Sequence, residues 1–210
     1  DAQALNLNLP SGRTKRVVLP TEEARDFFEA RGNHFPEVEE AAETLWREAA
    51  LVQADLARGL ADRLGARHGV SLEVAPQEKM NGARRRYDPH TRLLTLSEVL
   101  PRTSRQFHLA YQLGLMEGRC AIDDRISAAK LSSPESETLC RVGLANYFAG
   151  AVLMPYRAFA AAARTARHDL EALMHRFGVS FEQAAHRLAT LQRPGEAGIP
   201  FFFAVADIAG

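Results

Sequence analysis

Cysteine is scarce in this chain. Cys120 and Cys140 are the two in 210 residues, well separated and in no CxxC pair. That excludes a disulfide framework and a thiol-ligated cluster, and fits free thiols in a reducing cytoplasm. Excess charge is lacking too. The 26 basic and 26 acidic side chains cancel, so no global field directs the chain to nucleic acid or to a membrane. No apolar run approaches the length of a membrane span, and no signal peptide opens the chain. There is no internal repeat. What is present is 46% hydrophobic residues, enough to bury a real core in one domain of ordinary size. The chain opens at Asp1 and closes on "FFFAVADIAG", an apolar stretch, and reads as a fragment of a longer protein.

The pattern along the chain is α+β and mostly helical. Residues 1–20 carry proline, glycine and a basic step, and are expected as a linker or arm with a short strand at "RVVLP". Residues 21–68 form a helical connector. Thr21 is its first cap, and a long helix is predicted from about Pro36 to Leu64. Its stripe of Val38, Ala42, Leu45, Ala49, Val52 and Leu56 suits the domain's own core, or a coiled-coil dimer seam. The alanines favour the core. Residues 69–195 form the main domain. Three strands open it: "VSLEVAP", "ARRRYD" and "RLLTLS", with "DPHT" as a turn between the last two. The small sheet is expected to be mixed or antiparallel, and antiparallel in its second half. Helices follow from Pro101, capped by Thr103 or Ser104; from Ser132 or Ser133 to Pro155; near 156–166; near 168–177; and from Ser180, where Gln183 completes a capping box. Residues 196–210 read as a strand leading toward a further C-terminal domain.

One helix carries a damaged motif. "RQFHLAYQLGLMEGR" has the frame of H-E-x-x-H, in which two histidines one turn apart hold zinc and the glutamate deprotonates its water. Here the frame reads His108, Leu109 and Gln112. The second nitrogen donor and the general base are both gone. Glu117 is too far along the helix to rebuild the pair. His108 is then a hydrogen-bonded cleft or core histidine, Gln112 a polar partner of nearby backbone, and Phe107 and Tyr111 core or cleft-wall aromatics.

Three blocks carry a resemblance: "QFHLAYQLGLMEG", "LANYFAGAVLMPY" and "RFGVSFEQAAHRLATLQRPGEAGIPFFF". Together they closely resemble the short-chain fatty acyl transcriptional regulators of the helix-turn-helix XRE class. The middle region of those regulators is related to the zincin-like ImmA/IrrE domain. In the peptidases of that group the second block begins E-A-N, and its glutamate is the third metal ligand. Here Leu144 takes that place, and Val142 stands two residues earlier. The resemblance therefore implies a zincin-like fold without metal and without catalysis. It implies coenzyme A or a short-chain acyl-CoA as effector. It also implies DNA binding through a helix-turn-helix domain ahead of this region, and a cysteine-bearing C-terminal domain with an iron–sulfur cluster in some relatives. No cofactor is expected in the fragment itself, and no membrane partner.

A CoA ester needs basic groups for its phosphates and an apolar channel for its arm. Arg84 and Arg86 share a strand face, with Arg85 pointing away, and Arg105 sits in the first turn of the motif helix. A solvated strand edge is the plain alternative for the arginines. His108, Tyr111, Gln112, Leu144, Tyr147 and Phe148 are candidates to line the acyl end, with Tyr111 or Tyr147 bonding the thioester carbonyl. His186 is expected to brace its helix. Three functions follow: an effector-sensing region of a homodimeric or tetrameric regulator; a residual metallopeptidase that recruits His175 or Glu137; and a structural dimerisation core. The first fits the residues best.

Overall fold

The computed structural model describes residues 19–201. The expected arm, the "RVVLP" strand before Leu19 and the "FFFAVA" strand beyond Phe201 lie outside the described residues.

Helix α1 (Pro20–Glu29) starts with proline in its first turn and Leu19, not Thr21, at the cap position. The predicted long helix is two helices. α2 (Pro36–Glu48) ends where Ala50 turns left-handed (φ +46°), and α3 (Leu56–His68) begins after a short 3₁₀ turn at Gln53–Asp55. Leu51 explains the break. It turns inward, 8% exposed, and a Cβ at Gly59 of α3 would lie 2.9 Å from its methyl. A straight helix could not bury both Leu51 and the α2 stripe. Val38, Ala42 and Leu45 are in the chain's own core, while Val52 is 61% exposed.

The sheet has the order β1-β3-β2, with β1 (Ser71–Ala75) parallel and β2 (Arg85–Asp88) antiparallel to β3 (Leu93–Ser97). The one-turn helix α4 (Gln77–Met80) lies on the β1–β2 connection. Leu94 and Leu96 are buried as their alternation predicts, but Leu72 and Val74 are each 45% exposed. β1 is an edge strand: Leu72 and Val74 pair with the buried Leu94 and Leu96 and share their face, yet stay exposed at the sheet's margin.

The helical half is built around α7 (Pro134–Leu153), which packs against α1, α2, α5 (Arg102–Met116) and α6 (Arg119–Ala129). From Leu144 to Met154 only Asn146 and Gly150 escape burial, the mark of a helix apolar all round. Ser133 caps it, its side chain accepting from the Ser136 N–H. The α5–α7 approach needs small residues. A Cβ at Gly114 would lie 2.9 Å from the Phe148 ring. α5 starts after Pro101 with no side-chain cap, so neither Thr103 nor Ser104 caps it. α6 buries only Ile122 and Ile126, too sparse an apolar pattern to mark it as a helix in the sequence. The remaining helices are α8 (Tyr156–Thr165), α9 (Leu170–Phe177, capped by Asp169) and α10 (Phe181–Ala189, with the predicted Ser180–Gln183 capping box). Among the described residues no helix is long and apolar enough to cross a membrane.

Candidate ligand-binding cleft

The motif helix α5 presents His108, Tyr111 and Gln112 one turn apart, on one face. Facing them is the β2–β3 hairpin. Its register pairs Tyr87 with Leu94 and Arg85 with Leu96. Directly paired residues share a sheet face, so Arg85 sits on the same side as the buried leucines. It is half-buried there, while Arg84 and Arg86 are exposed. The Arg85 guanidinium donates to the Gln112 side-chain oxygen and lies 4.8 Å from the centre of the Tyr111 ring. Its Nε is buried without a partner. Burial lowers the pKa of this guanidinium, which remains a cation at any ordinary pH. Burial also pushes the His108 imidazole below its ordinary range, and Arg85 and then Arg84 push it further. His108 is therefore neutral at pH 7.

Beside this face opens a cleft of about 830 Å³. α5 contributes Ser104, Phe107 and His108 to its wall, and Arg84 comes from the hairpin. α1 contributes Arg25, Phe28 and Glu29, and α7 contributes Gly143, Asn146, Tyr147 and Gly150. Gly143 sets how closely α1 sits. A Cβ there would lie 2.5 Å from the Phe28 ring. α10 closes the fourth side with Glu182, His186 and Arg187.

At the α7–α10 corner the cleft meets a buried polar network. Arg187 and Glu39 of α2 are each 2% exposed. Arg187 Nη1 donates to Glu39 Oε1 at 2.6 Å, Nη2 donates to Oε2 at 3.0 Å, and Nε donates to the Met154 carbonyl at 2.9 Å. The Tyr147 hydroxyl donates to Glu39 Oε1 at 2.7 Å and lies 3.3 Å from His34 Nδ1. Burial pushes the Glu39 carboxyl up, but Arg187 and the hydrogen bonds outweigh it and hold Glu39 below the usual carboxylate range. Burial, reinforced by Glu39, drives the Tyr147 phenol far above its ordinary value. Tyr147 is thus a neutral donor already committed to Glu39.

The sequence-predicted residues fall into three groups. Arg84, His108 and Tyr147 share the cleft wall. Tyr111 and Gln112 are joined to Arg85. Arg86 and Arg105 bond backbone: Arg86 the Met80 carbonyl at 3.4 Å, Arg105 those of Glu98 and Leu100 at 2.7 and 2.9 Å. Leu144 and Phe148 are fully buried and do not line the cleft. The sequence did not single out Arg25, Phe28, Arg187 or Glu39, and it set Arg85 on the strand face opposite Arg84 and Arg86.

A family model for the IrrE N-terminal-like domain matches residues 65–189, more than half the chain. The chain belongs to that family. Within the IrrE N-terminal-like family this chain is similar to transcriptional regulators. It is 41% identical over 192 residues to the HTH-type transcriptional regulator PrpR of Mycobacterium tuberculosis, covering 91% of this chain and 39% of the regulator. It is 41% identical over 200 residues to the HTH-type transcriptional regulator RamB of the same organism (95% and 42%). With the propionyl-CoA carboxylase regulator of Cereibacter sphaeroides the identity is 39% over 191 residues (91% and 40%). A solved Mycobacterium tuberculosis transcriptional regulator superposes with a TM-score of 0.81 at 40% identity, over 87% of this chain and 55% of that one. The chain spans about two fifths of the length of the curated relatives it matches. The zinc site of IrrE-related peptidases does not fit these residues. Both positions open to a third ligand carry alkyl groups, Leu144 fully buried and Val142 exposed. The second ligand position, Gln112, holds a guanidinium cation that would repel a metal ion. Among the described residues no three His, Cys, Asp or Glu side chains are arranged to hold a metal.

Proposed function

We propose that this chain is the effector-sensing and oligomerisation region of a bacterial regulator of short-chain carboxylate metabolism, acting in the cytoplasm without catalysis. The effector is coenzyme A or a short-chain acyl-CoA ester. DNA is contacted through a helix-turn-helix domain, and any iron–sulfur cluster belongs to a C-terminal domain. Neither lies within this region. The assembly is a homodimer or tetramer.

The observation that carries this reading is the cleft beside the degenerate motif. Its volume, about 830 Å³, falls in the range of small-molecule sites. Arg25 and Arg84 on its wall offer guanidinium forks for phosphates. Phe28 and Phe107 offer flat apolar surface for adenine and the pantetheine arm. His108, held neutral, can donate to or accept from a thioester or amide without charge. The regulator names of the relatives, one of them a propionyl-CoA carboxylase regulator, support the same ligand class.

The network also supplies a route for the signal. Tyr147 and Arg187 line the cleft and grip Glu39 of α2 and the His34–Phe35 segment ahead of it. An occupant that moves α10 or Tyr147 must repack that joint, which biases how the helices before residue 50 stand on the domain.

Thermal unfolding tests the reading. A ligand that binds only the folded chain raises the midpoint with its concentration over its dissociation constant. A concentration-dependent rise with free CoA, acetyl-CoA or propionyl-CoA, and none with zinc, is expected. A rise with zinc alone would revive the peptidase. No rise with any of them would leave the chain as a structural core.

A further inference from the structure

Arg85 stands apart from the other arginines that leave bulk water. Arg63, Arg125, Arg141, Arg187 and Arg193 each hold a carboxylate. Arg31 and Arg105 each hold a backbone carbonyl. Arg85 holds only the neutral Gln112 oxygen and the Tyr111 face, with its Nε sealed and unpaired. Among the described residues no carboxylate lies within ion-pair distance of it. A half-buried cation without a counter-charge is costly, and sites that recognise anions supply the missing charge from the ligand.

We infer that Arg85, with Gln112 and Tyr111 fixing its orientation and His108 beside it, is the receptor for a carboxylate, and that the effector is an acyl-CoA ester whose acyl group ends in one. The inference rests on the reading of the neighbouring cleft as a CoA-ester site. The remaining donors of Arg85 suit a planar carboxylate. One face of the guanidinium is covered by Tyr111, one corner is closed by Gln112 and Nε is sealed, so the open edge is small. The hydrated, doubly charged phosphates match the exposed Arg25 and Arg84 better. His108, neutral beside two guanidiniums, adds a second donor to the carboxylate without competing for it.

Calorimetric titration of the 210-residue chain with succinyl-CoA, butyryl-CoA and free CoA separates the outcomes. The two esters match in acyl length and differ by carboxylate against methyl. Succinyl-CoA is expected to bind about tenfold tighter than butyryl-CoA or better, the scale of one charge-assisted pair. In Arg85→Met that preference vanishes while free CoA keeps its affinity. Arg85→Lys, which retains the charge but not the fork, keeps part of the preference. Arg164→Gln, at an exposed arginine of α8 that does not line the cleft, changes nothing. Equal or tighter binding of butyryl-CoA to the unmodified chain overturns the inference, and needs no variant to fold. Equal weakening of all three ligands in Arg85→Met also overturns it, by assigning Arg85 to the CoA portion. Binding of none of the three overturns the CoA-ester reading itself and the inference with it.

Discussion

Replacing Arg187 by methionine removes one half of a buried ion pair and leaves the other half behind. Glu39 is 2% exposed and takes both of its strong donors from Arg187. The Tyr147 hydroxyl at 2.7 Å cannot neutralise it. Breaking such a pair from one side costs about 3–5 kcal/mol, a large part of a typical domain's stability of about 5–15 kcal/mol. The pH dependence should change sign. In the unmodified chain Glu39 titrates below its ordinary value of 4.5. Its contribution is complete above that value and is lost as pH falls through the folded pKa. In Arg187→Met, burial is no longer offset and the carboxyl titrates above its ordinary value. Its folded-state advantage then exists at low pH and is lost as pH rises through the raised pKa. Urea unfolding at pH 5 and pH 8 should find the variant relatively more stable at pH 5. His34, which faces the same hydroxyl, is kept neutral in the fold chiefly by burial and so costs stability as pH falls through 6.5; it does so in both proteins, so the variant is compared with the unmodified chain at each pH. The double variant Glu39→Leu with Arg187→Met should recover most of the loss, because paired removal leaves no stranded charge. A loss below about 1 kcal/mol for Arg187→Met, with no change in pH slope, would refute the reasoning.

Three further outcomes follow from contacts already described. Gly143→Ala sets a methyl against Phe28. It should cost about 1–3 kcal/mol in thermal or urea unfolding and weaken CoA-ester binding by shifting α1. Gln112→His restores both motif histidines yet should bind no zinc in a competition assay with a chromogenic chelator, because Arg85 faces the new ring and Leu144 supplies no third ligand; submicromolar binding would contradict this. Thiol titration of the native chain should label exposed Cys120 quickly and Cys140 only on unfolding, since Cys140 is fully buried and burial pushes its thiol up to about 11.

The elements with local chemical punctuation were legible in the sequence. Pro134, Pro155 and the Ser180–Gln183 box bound their helices as their chemistry demands. The placement of His108, Tyr111 and Gln112 on one face of α5 was legible as well, because a motif frame fixes which residues share a helix face. What escaped was set by tertiary packing. The stripe from Val38 to Leu56 satisfies a straight helix, and only the burial of Leu51 against α3 reveals the break. The cleft residues of α1 and α10 meet those of α5 and α7 through contacts between distant segments, which no local pattern marks. Arg85 is the instructive case. Parity along its strand puts Arg84 and Arg86 on one face and Arg85 on the other, and the face that meets α5 is that of Arg85. The hairpin itself held the answer. Leu94 and Leu96 must face the core, and the register across the 89–92 turn puts Tyr87 and Arg85 opposite them.

The central claim is that a CoA ester occupies the cleft between α1, α5, α7 and α10. Hydrogen–deuterium exchange of the chain, with and without saturating acyl-CoA, tests it most directly. Slowed exchange is expected in residues 25–33, 104–108 and 180–190, with no change in the exposed edge strand β1. Unchanged exchange in those segments, or protection confined to the sheet, would contradict it.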